Sequence, residues 1–196
     1  ASDKDLTLAV FPWSGRVWAV DLSQPGASAA EVAVTGTALD PRPDPTGKRL
    51  AYVSAGALRV TSLADGGNGG GGPAGERRAE DQVLADPRGA AGVTFGLAEF
   101  IAAEEMGRTR GYWWSPDGVS VLAARVDNTR VRRWHLHDPA EPDEPPTTVA
   151  YPAAGTANAE VTLHLLDLDG GWVDVHWDRE TYPYLVAVSW TEVGGP

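Results

Sequence analysis

The residues with the clearest chemical potential in this chain are Glu104 and Glu105, an adjacent acid pair followed by Arg108, Arg110, Trp113 and Trp114 within the stretch FIAAEEMGRTRGYWWSPDG, Phe100 to Gly118. An ammonium group carries three N–H donors and no acceptor, so two carboxylates that converge on one cavity satisfy it well. Free peptide amino groups titrate at about 7.7 to 8.0 and are mostly charged at neutral pH. The pair therefore reads in two ways: as an anchor for a substrate amine, or as two ordinary solvated acids on a helix surface, where charged residues mostly reside. Arg108 and Arg110 follow closely enough to pair with either glutamate and hold it ionised.

The local sequence says how such a pair would be presented. Ile101 to Arg108 holds good helix formers and no proline, which predicts a short helix of about two turns, with Gly111 ending it. Tyr112, Trp113 and Trp114 then start a strand. Ser115-Pro116-Asp117-Gly118 supplies a fixed φ and a glycine for a tight turn. The helix is thus an insertion at the edge of a β unit.

This run, AEEMGRTRGYWWSPDG, together with GLAEF before it and YPAAGTANAEVTLHLLDLDGG after it, resembles the N-terminal β-propeller of dipeptidyl peptidase IV-like serine peptidases, of the prolyl oligopeptidase clan. The resemblance runs from about Leu39 to the end of the chain. It implies that Glu104 and Glu105 grip the free N-terminus of a peptide substrate. It also implies an α/β-hydrolase domain C-terminal to the propeller, and an arginine on a propeller loop that holds the substrate backbone, for which no motif here nominates a residue.

Elsewhere the chain reads as repeated hairpins. Leu6 to Phe11, Arg16 to Leu22 and Glu31 to Val34 are short β-type runs, the first two joined by Pro12-Trp13-Ser14-Gly15. LDPRPDPTGKRLAYVSAGALRVTSL and WWSPDGVSVLAARVDNTRVRRWHL share one grammar of proline, polar residue, glycine, strand, turn, strand, and Pro45 and Gly47 match Pro116 and Gly118 at a common offset. That offset exceeds the roughly 40 to 50 residues of a plain blade. Two insertions account for the excess: the glycine-rich tract Gly66 to Gly75, read as a flexible loop, and the glutamate-bearing helix. DPAEPDEPPTTVAYP is a proline-rich connection unsuited to a central strand. Val161 to Asp167 and Trp172 to Trp177 flank the hairpin turn Leu168-Asp169-Gly170-Gly171, and Tyr184 to Trp190 starts another strand.

The fold expected is all-β, a partial β-propeller of four-stranded antiparallel blades with a short inserted helix bearing Glu104 and Glu105. Residues 1 to 196 would form the N-terminal part of a propeller domain, about four blades, with the hydrolase domain outside the chain. A part-ring leaves edges open, so self-association through blade edges is expected.

Composition narrows the partners. With 196 residues and a net charge of −11, the chain lacks the basic stripe that nucleic acid requires and favours cationic ligands. No apolar run approaches the roughly 18 residues of a membrane span. There is no cysteine, and neither a cofactor motif nor a complete metal-ligand set is found. His135 and His137 lack a third ligand for zinc, and Asp167 and Asp169 lack the later acids of a calcium loop. The tryptophans at 113, 114, 134, 172, 177 and 190 are read as core between blades. No Gly-x-Ser-x-Gly elbow is present, so the chain alone is expected to hold no catalytic residues.

By the resemblance, then, the function expected is the propeller segment of a serine exopeptidase, cytoplasmic, which positions free peptide N-termini for release of dipeptides by a separate hydrolase domain. An extended chain covers about 3.3 to 3.6 Å per residue, so an anchor near 7 Å from the nucleophile would count out two residues. The competing expectation is a non-catalytic propeller scaffold for protein partners.

Overall fold

The computed structural model describes residues 1–63 and 81–191. The expectation of a flexible loop at Gly66 to Gly75 lies outside the described residues. The architecture is almost entirely antiparallel sheet. The first sheet contains β1 (Leu8–Trp13), β2 (Arg16–Asp21) and β3 (Ala30–Val32) in that order. Next come β4 (Leu39–Pro43), β5 (Arg49–Ser54), β6 (Ala57–Ser62) and β7 (Gln82–Ala85), a four-stranded blade meandering in sequence order. The hairpin turns follow from backbone freedom: Ser14 and Gly15, and Ala55 and Gly56, all adopt positive φ, the geometry that matches the twist of the strands they join.

The third sheet carries the insertion. It is built from β8 (Val93–Leu97), β9 (Arg110–Trp114), β10 (Ser120–Asp127), β13 (Glu160–Asp167) and β14 (Trp172–Val175), ordered β14-β13-β10-β8-β9 with β9 also on β10. Val93 to Phe95 pairs with one end of β10, and Tyr112 to Trp114 with the other. Strands β8 and β9 are therefore two halves of one edge strand, and α1 (Phe100–Glu105) bulges out between them. The corresponding edge strand of the preceding blade, β4, has only a bulge between Leu39 and Arg42 at this point.

The repeat inferred from Pro45/Gly47 and Pro116/Gly118 is visible in hydrogen bonds. Gly47 N donates to Asp44 O and Gly118 N donates to Ser115 O, at 3.0 and 2.9 Å. The Asp44 and Ser115 side chains each accept a backbone N–H beyond the turn, from Lys48 and Ser120.

Adjacent sheets stack face to face. Ala51, Val53, Leu58, Val60 and Ala85 of the second sheet meet Phe95, Tyr112, Val121, Ala123 and Leu166 of the third, and all are buried. Tyr112 is fully buried and its hydroxyl donates to the Ala51 carbonyl at 2.8 Å, while Trp114 Nε1 reaches Arg42 O at 3.2 Å. The strand that follows the inserted helix is thereby bolted to the neighbouring blade. A smaller core of Val10, Val17, Val32 and Leu50 joins the first sheet to the second.

Several expectations are corrected. The helix ends at Glu105 with Met106 as its C-cap, and Gly107, at φ 65°, follows. Gly111 sits instead in the two-residue ladder at the base of the insertion, opposite Gly96, where a Cβ would lie 2.3 Å from Leu97 backbone atoms. The strand after β10 in sequence, β11 (Arg133–Leu136), does not return onto β10. It pairs with β12 (Thr147–Ala150) as a separate two-stranded ribbon, so part of the proline-rich connection is a strand, and β10 takes β13 as its neighbour over eight residue pairs. Tyr184 to Trp190 forms no strand, because its backbone joins no ladder; it packs by side chains, with Leu185 and Val188 against the core around Trp113. Among the tryptophans, Trp113 is buried, but Trp134, Trp172 and Trp190 are exposed, on the ribbon, the outermost strand and the irregular segment respectively.

Candidate functional site

The insertion is a closed structure pinned at its neck. Glu99, the N-cap of α1, accepts from Ala102 N through Oε1 at 3.0 Å, and the same oxygen lies 3.6 Å from Nη2 of Arg108. Both side chains are about 5% exposed. Arg108 also donates from Nε to Leu185 O at 2.7 Å and from Nη1 to Arg110 O at 2.8 Å, and its backbone N–H reaches Ala102 O at 2.8 Å. One guanidinium thus ties together the helix cap, the strand that leaves the insertion and the segment after β14. Burial pulls the Arg108 pKa below its ordinary value, and the Glu99 carboxylate pushes it back up.

Glu104 and Glu105 are the last two residues of α1, both exposed. Neither has a hydrogen-bond or ion-pair partner among the described residues; Arg108, a sequence-level candidate to neutralise them, is committed to Glu99. They also sit at the helix end where unsatisfied carbonyls make the local field negative, a position that favours a cation nearby. Glu99 was missed as a functional residue in the sequence. Its one signal is its place immediately before the helix formers, as a carboxylate able to cap.

Two cavities adjoin this insertion. One of about 330 Å³ is lined by Met106, Arg108, Arg110, Trp113, Val186 and Val188, among others. A larger one of about 600 Å³ shares Arg110, Trp113 and Val188 and extends to Arg42, Tyr112 and the first residues of the chain.

Other candidate sites resolve into local structure. His135 Nδ1 lies 3.0 Å from Thr148 Oγ1, and His137 Nδ1 lies 3.1 Å from Asp138 O. Among the described residues no group of three or more His, Cys, Asp or Glu could hold a metal ion. Asp167 Oδ1 accepts from Asp169 N and Gly171 N, which makes it the organiser of a hairpin turn. No helix among the described residues is long and apolar enough to cross a membrane.

The glutamate pair, the split edge strand and the Tyr-Trp-Trp strand after it lie inside a match to a family model, the dipeptidyl peptidase IV (DPP IV) N-terminal region, that spans residues 11–194. The chain belongs to this family. Among its curated relatives, dipeptidyl peptidase 8 of Mus musculus is 29% identical over 131 residues, which cover 56% of this chain and 14% of the relative. Dipeptidyl peptidase 8 of Homo sapiens is 27% identical over 121 residues, 50% of this chain and 14% of the relative. The matched stretch therefore covers only about one seventh of the length of these dipeptidyl peptidases. Among solved structures, dipeptidyl peptidase 4 of Porphyromonas gingivalis superposes with a TM-score of 0.66 at 17% identity, covering 90% of this chain and 25% of that one. At that identity the likeness carries the fold, and the fold it carries is the DPP IV-type propeller.

Proposed function

We propose that this chain is the amine-reading part of a serine-type dipeptidyl peptidase, in which Glu104 and Glu105 hold the free N-terminus of a peptide while an α/β-hydrolase domain outside the chain cleaves it. The observation that carries this reading is the pairing scheme around α1. The buried cation, Arg108, faces Glu99 and the carbonyls of Leu185 and Arg110, and the two exposed carboxylates are left without partners among the described residues, on a helix whose base is pinned at three points. Unneutralised acids on a fixed platform suit an ammonium ion, which has donors only.

The proposed role in catalysis is positional. Fixing the amine orients the scissile bond, and orientation of this kind contributes to rate as well as to affinity. The chain of about 3.3 to 3.6 Å per residue between amine and nucleophile then sets the product as a dipeptide. The propeller acts as the ruler.

The test is dipeptide release from Ala-Pro and Gly-Pro chromogenic substrates by the full-length protein, with and without acetylation of the substrate amine. Cleavage that disappears on acetylation, and falls in Glu104→Gln and Glu105→Gln, supports the reading. Cleavage indifferent to both changes sinks it. The absence of any cleavage moves the weight to a binding scaffold, a reading favoured by the exposed apolar side chains Trp134, Leu136, Trp172, Val173 and Val175 on the ribbon and outer strand.

A further inference from the structure

Seven of the twelve arginines among the described residues are paired. Arg16, Arg42, Arg49, Arg59, Arg108, Arg125 and Arg179 each lie within ion-pair distance of a carboxylate. Among the described residues, those without such a partner are Arg88, Arg130, Arg132 and Arg133, all exposed, and Arg110, which is half-buried. Among the described residues Arg110 is thus the one arginine that is partly withdrawn from water without a carboxylate within ion-pair distance, in a chain of net charge −11. Withdrawal of a charge from solvent is costly unless the charge is paired.

Its placement is fixed from two directions. Arg110 pairs with Leu97 in the ladder at the base of the insertion, and its carbonyl accepts from Arg108 Nη1 at 2.8 Å. Arg110 lines the cavity of about 330 Å³, which begins at Met106, the residue directly after Glu105, and also borders the larger one. Among the described residues no acid lines this cavity; its walls are Met106, Trp113, Val186 and Val188, with Gly107, Thr109, Ala187 and Arg108 completing it. Arg108 adds a second unspent donor. Its buried Nη2 makes no hydrogen bond, being 3.6 Å from the Glu99 carboxylate.

An amine held at Glu104 and Glu105 would bring the side chain of the substrate's first residue to this cavity. Resting on the amine-anchor reading above, we infer that the Arg110 cavity receives the carboxylate side chain of an N-terminal glutamate or aspartate, so that the protein acts on peptides with an acidic first residue. The apolar walls accommodate the methylenes of that side chain and the guanidinium meets its carboxylate, a planar acceptor that matches the fork of an arginine. Without Arg110, the glutamate pair and the overall negative charge would repel the same residue.

The experiment compares Glu-Pro and Gln-Pro chromogenic substrates, equal in shape and different in charge, on the full-length protein. The expected result is a kcat/KM about tenfold or more higher for Glu-Pro. Arg110→Gln lowers the Glu-Pro to Gln-Pro ratio by about that factor, and Arg110→Lys restores part of it. Absence of a charge preference in the wild type, or an equal fall for both substrates in Arg110→Gln, overturns the inference; an equal fall is what a guanidinium on the peptide backbone would give. If Gln-Pro cleavage still requires a free amine and both glutamates, the acidic subsite fails alone and the anchor stands. If cleavage ignores acetylation and the glutamates, or if neither substrate is cleaved, both readings fall.

Discussion

Replacement of Arg108 by methionine tests whether the insertion is a rigid platform or an ordinary surface loop. Methionine keeps the aliphatic stem and removes the charge. Two hydrogen bonds from the guanidinium are lost, to Leu185 O and Arg110 O, at 2.7 and 2.8 Å, and the Glu99 carboxylate, about 5% exposed, is left buried beside an apolar group. Hydrogen bonds that involve a charged group are worth about 1.5 to 3 kcal/mol each, and breaking a buried ion pair by removal of one partner costs about 3 to 5 kcal/mol. These figures overlap, since they describe one side chain, so the expected loss is about 3 to 5 kcal/mol rather than their sum. For a domain stable by about 5 to 15 kcal/mol this is a large fraction. Equilibrium urea unfolding followed by tryptophan fluorescence reads it directly. Glu99→Gln serves as the control, because its amide oxygen can still accept from Ala102 N and only the charge is lost. The double variant should then be less destabilised than the two single losses added together, by about 1 kcal/mol or more, as expected for residues in contact. A loss below about 1 kcal/mol in Arg108→Met, or strict additivity in the double variant, would refute the view that this pair fixes α1.

Glu104→Gln and Glu105→Gln should each lower kcat/KM for dipeptide-releasing substrates by about 10- to 100-fold, the equivalent of a charged hydrogen bond, while leaving the urea midpoint unchanged because both side chains are exposed. Gly111→Ala should cost about 3 kcal/mol or more, since its Cβ would meet the Leu97 backbone at 2.3 Å and backbone cannot move aside cheaply; a thermal melt within a degree of wild type would contradict this. Acid should destabilise the fold through its turn aspartates. Asp117 is held below the ordinary aspartate range by Ser115, Asp127 by Thr129 and Asp178 by the Thr181 backbone, so in acid the unfolded chain binds more protons than the folded one and stability rises with pH. Their stabilisation is complete above the unfolded value and lost as pH falls below it; a urea midpoint that increases from pH 5 to pH 3 would contradict the assignment. The isolated 196-residue chain should self-associate through the exposed Trp172, Val173 and Val175 of β14 and Trp134 and Leu136 of the ribbon, which light scattering checks against a clean monomer.

The contrast between what the sequence disclosed and what it hid follows from the range of the interactions. Ser14-Gly15, Ala55-Gly56 and Asp169-Gly170 announce hairpins because positive φ is a property of one or two residues, and the neighbouring strands must pair whatever else happens. The choice of β13 over β11 as the partner of β10 is different. Alternation fixes which face of a strand is buried, but many strands can satisfy a face, and only the packed sheet selects one. The apolar run Tyr184 to Trp190 has strand composition and no ladder to join. Glu104 and Glu105 stood out as a motif, whereas Glu99 and Arg108 looked like any other charged residues until the fold buried them against each other.

That pair also explains how a propeller edge can carry a site. In β4 the edge strand absorbs its irregularity as a bulge with Asp40 at φ 46°, and the Tyr112 hydroxyl of the next blade sits between the Asp40 and Ala51 carbonyls there. At the corresponding point of the third sheet the chain leaves the ladder after Gly96 and Leu97, runs through α1 and returns at Arg110 and Gly111 opposite them. Bulges re-aim side chains where a ladder is already interrupted, so lengthening one costs the sheet no further pairing. What the longer excursion needs is an interior of its own. Ala102 is too small to supply one, and Glu99 with Arg108 does so instead, one guanidinium donating to the carbonyls of Leu185 and Arg110 and lying 3.6 Å from the Glu99 carboxylate. A polar core of this kind is costly to break at either partner, so the orientation of Glu104 and Glu105 is set by a contact that neither of them makes.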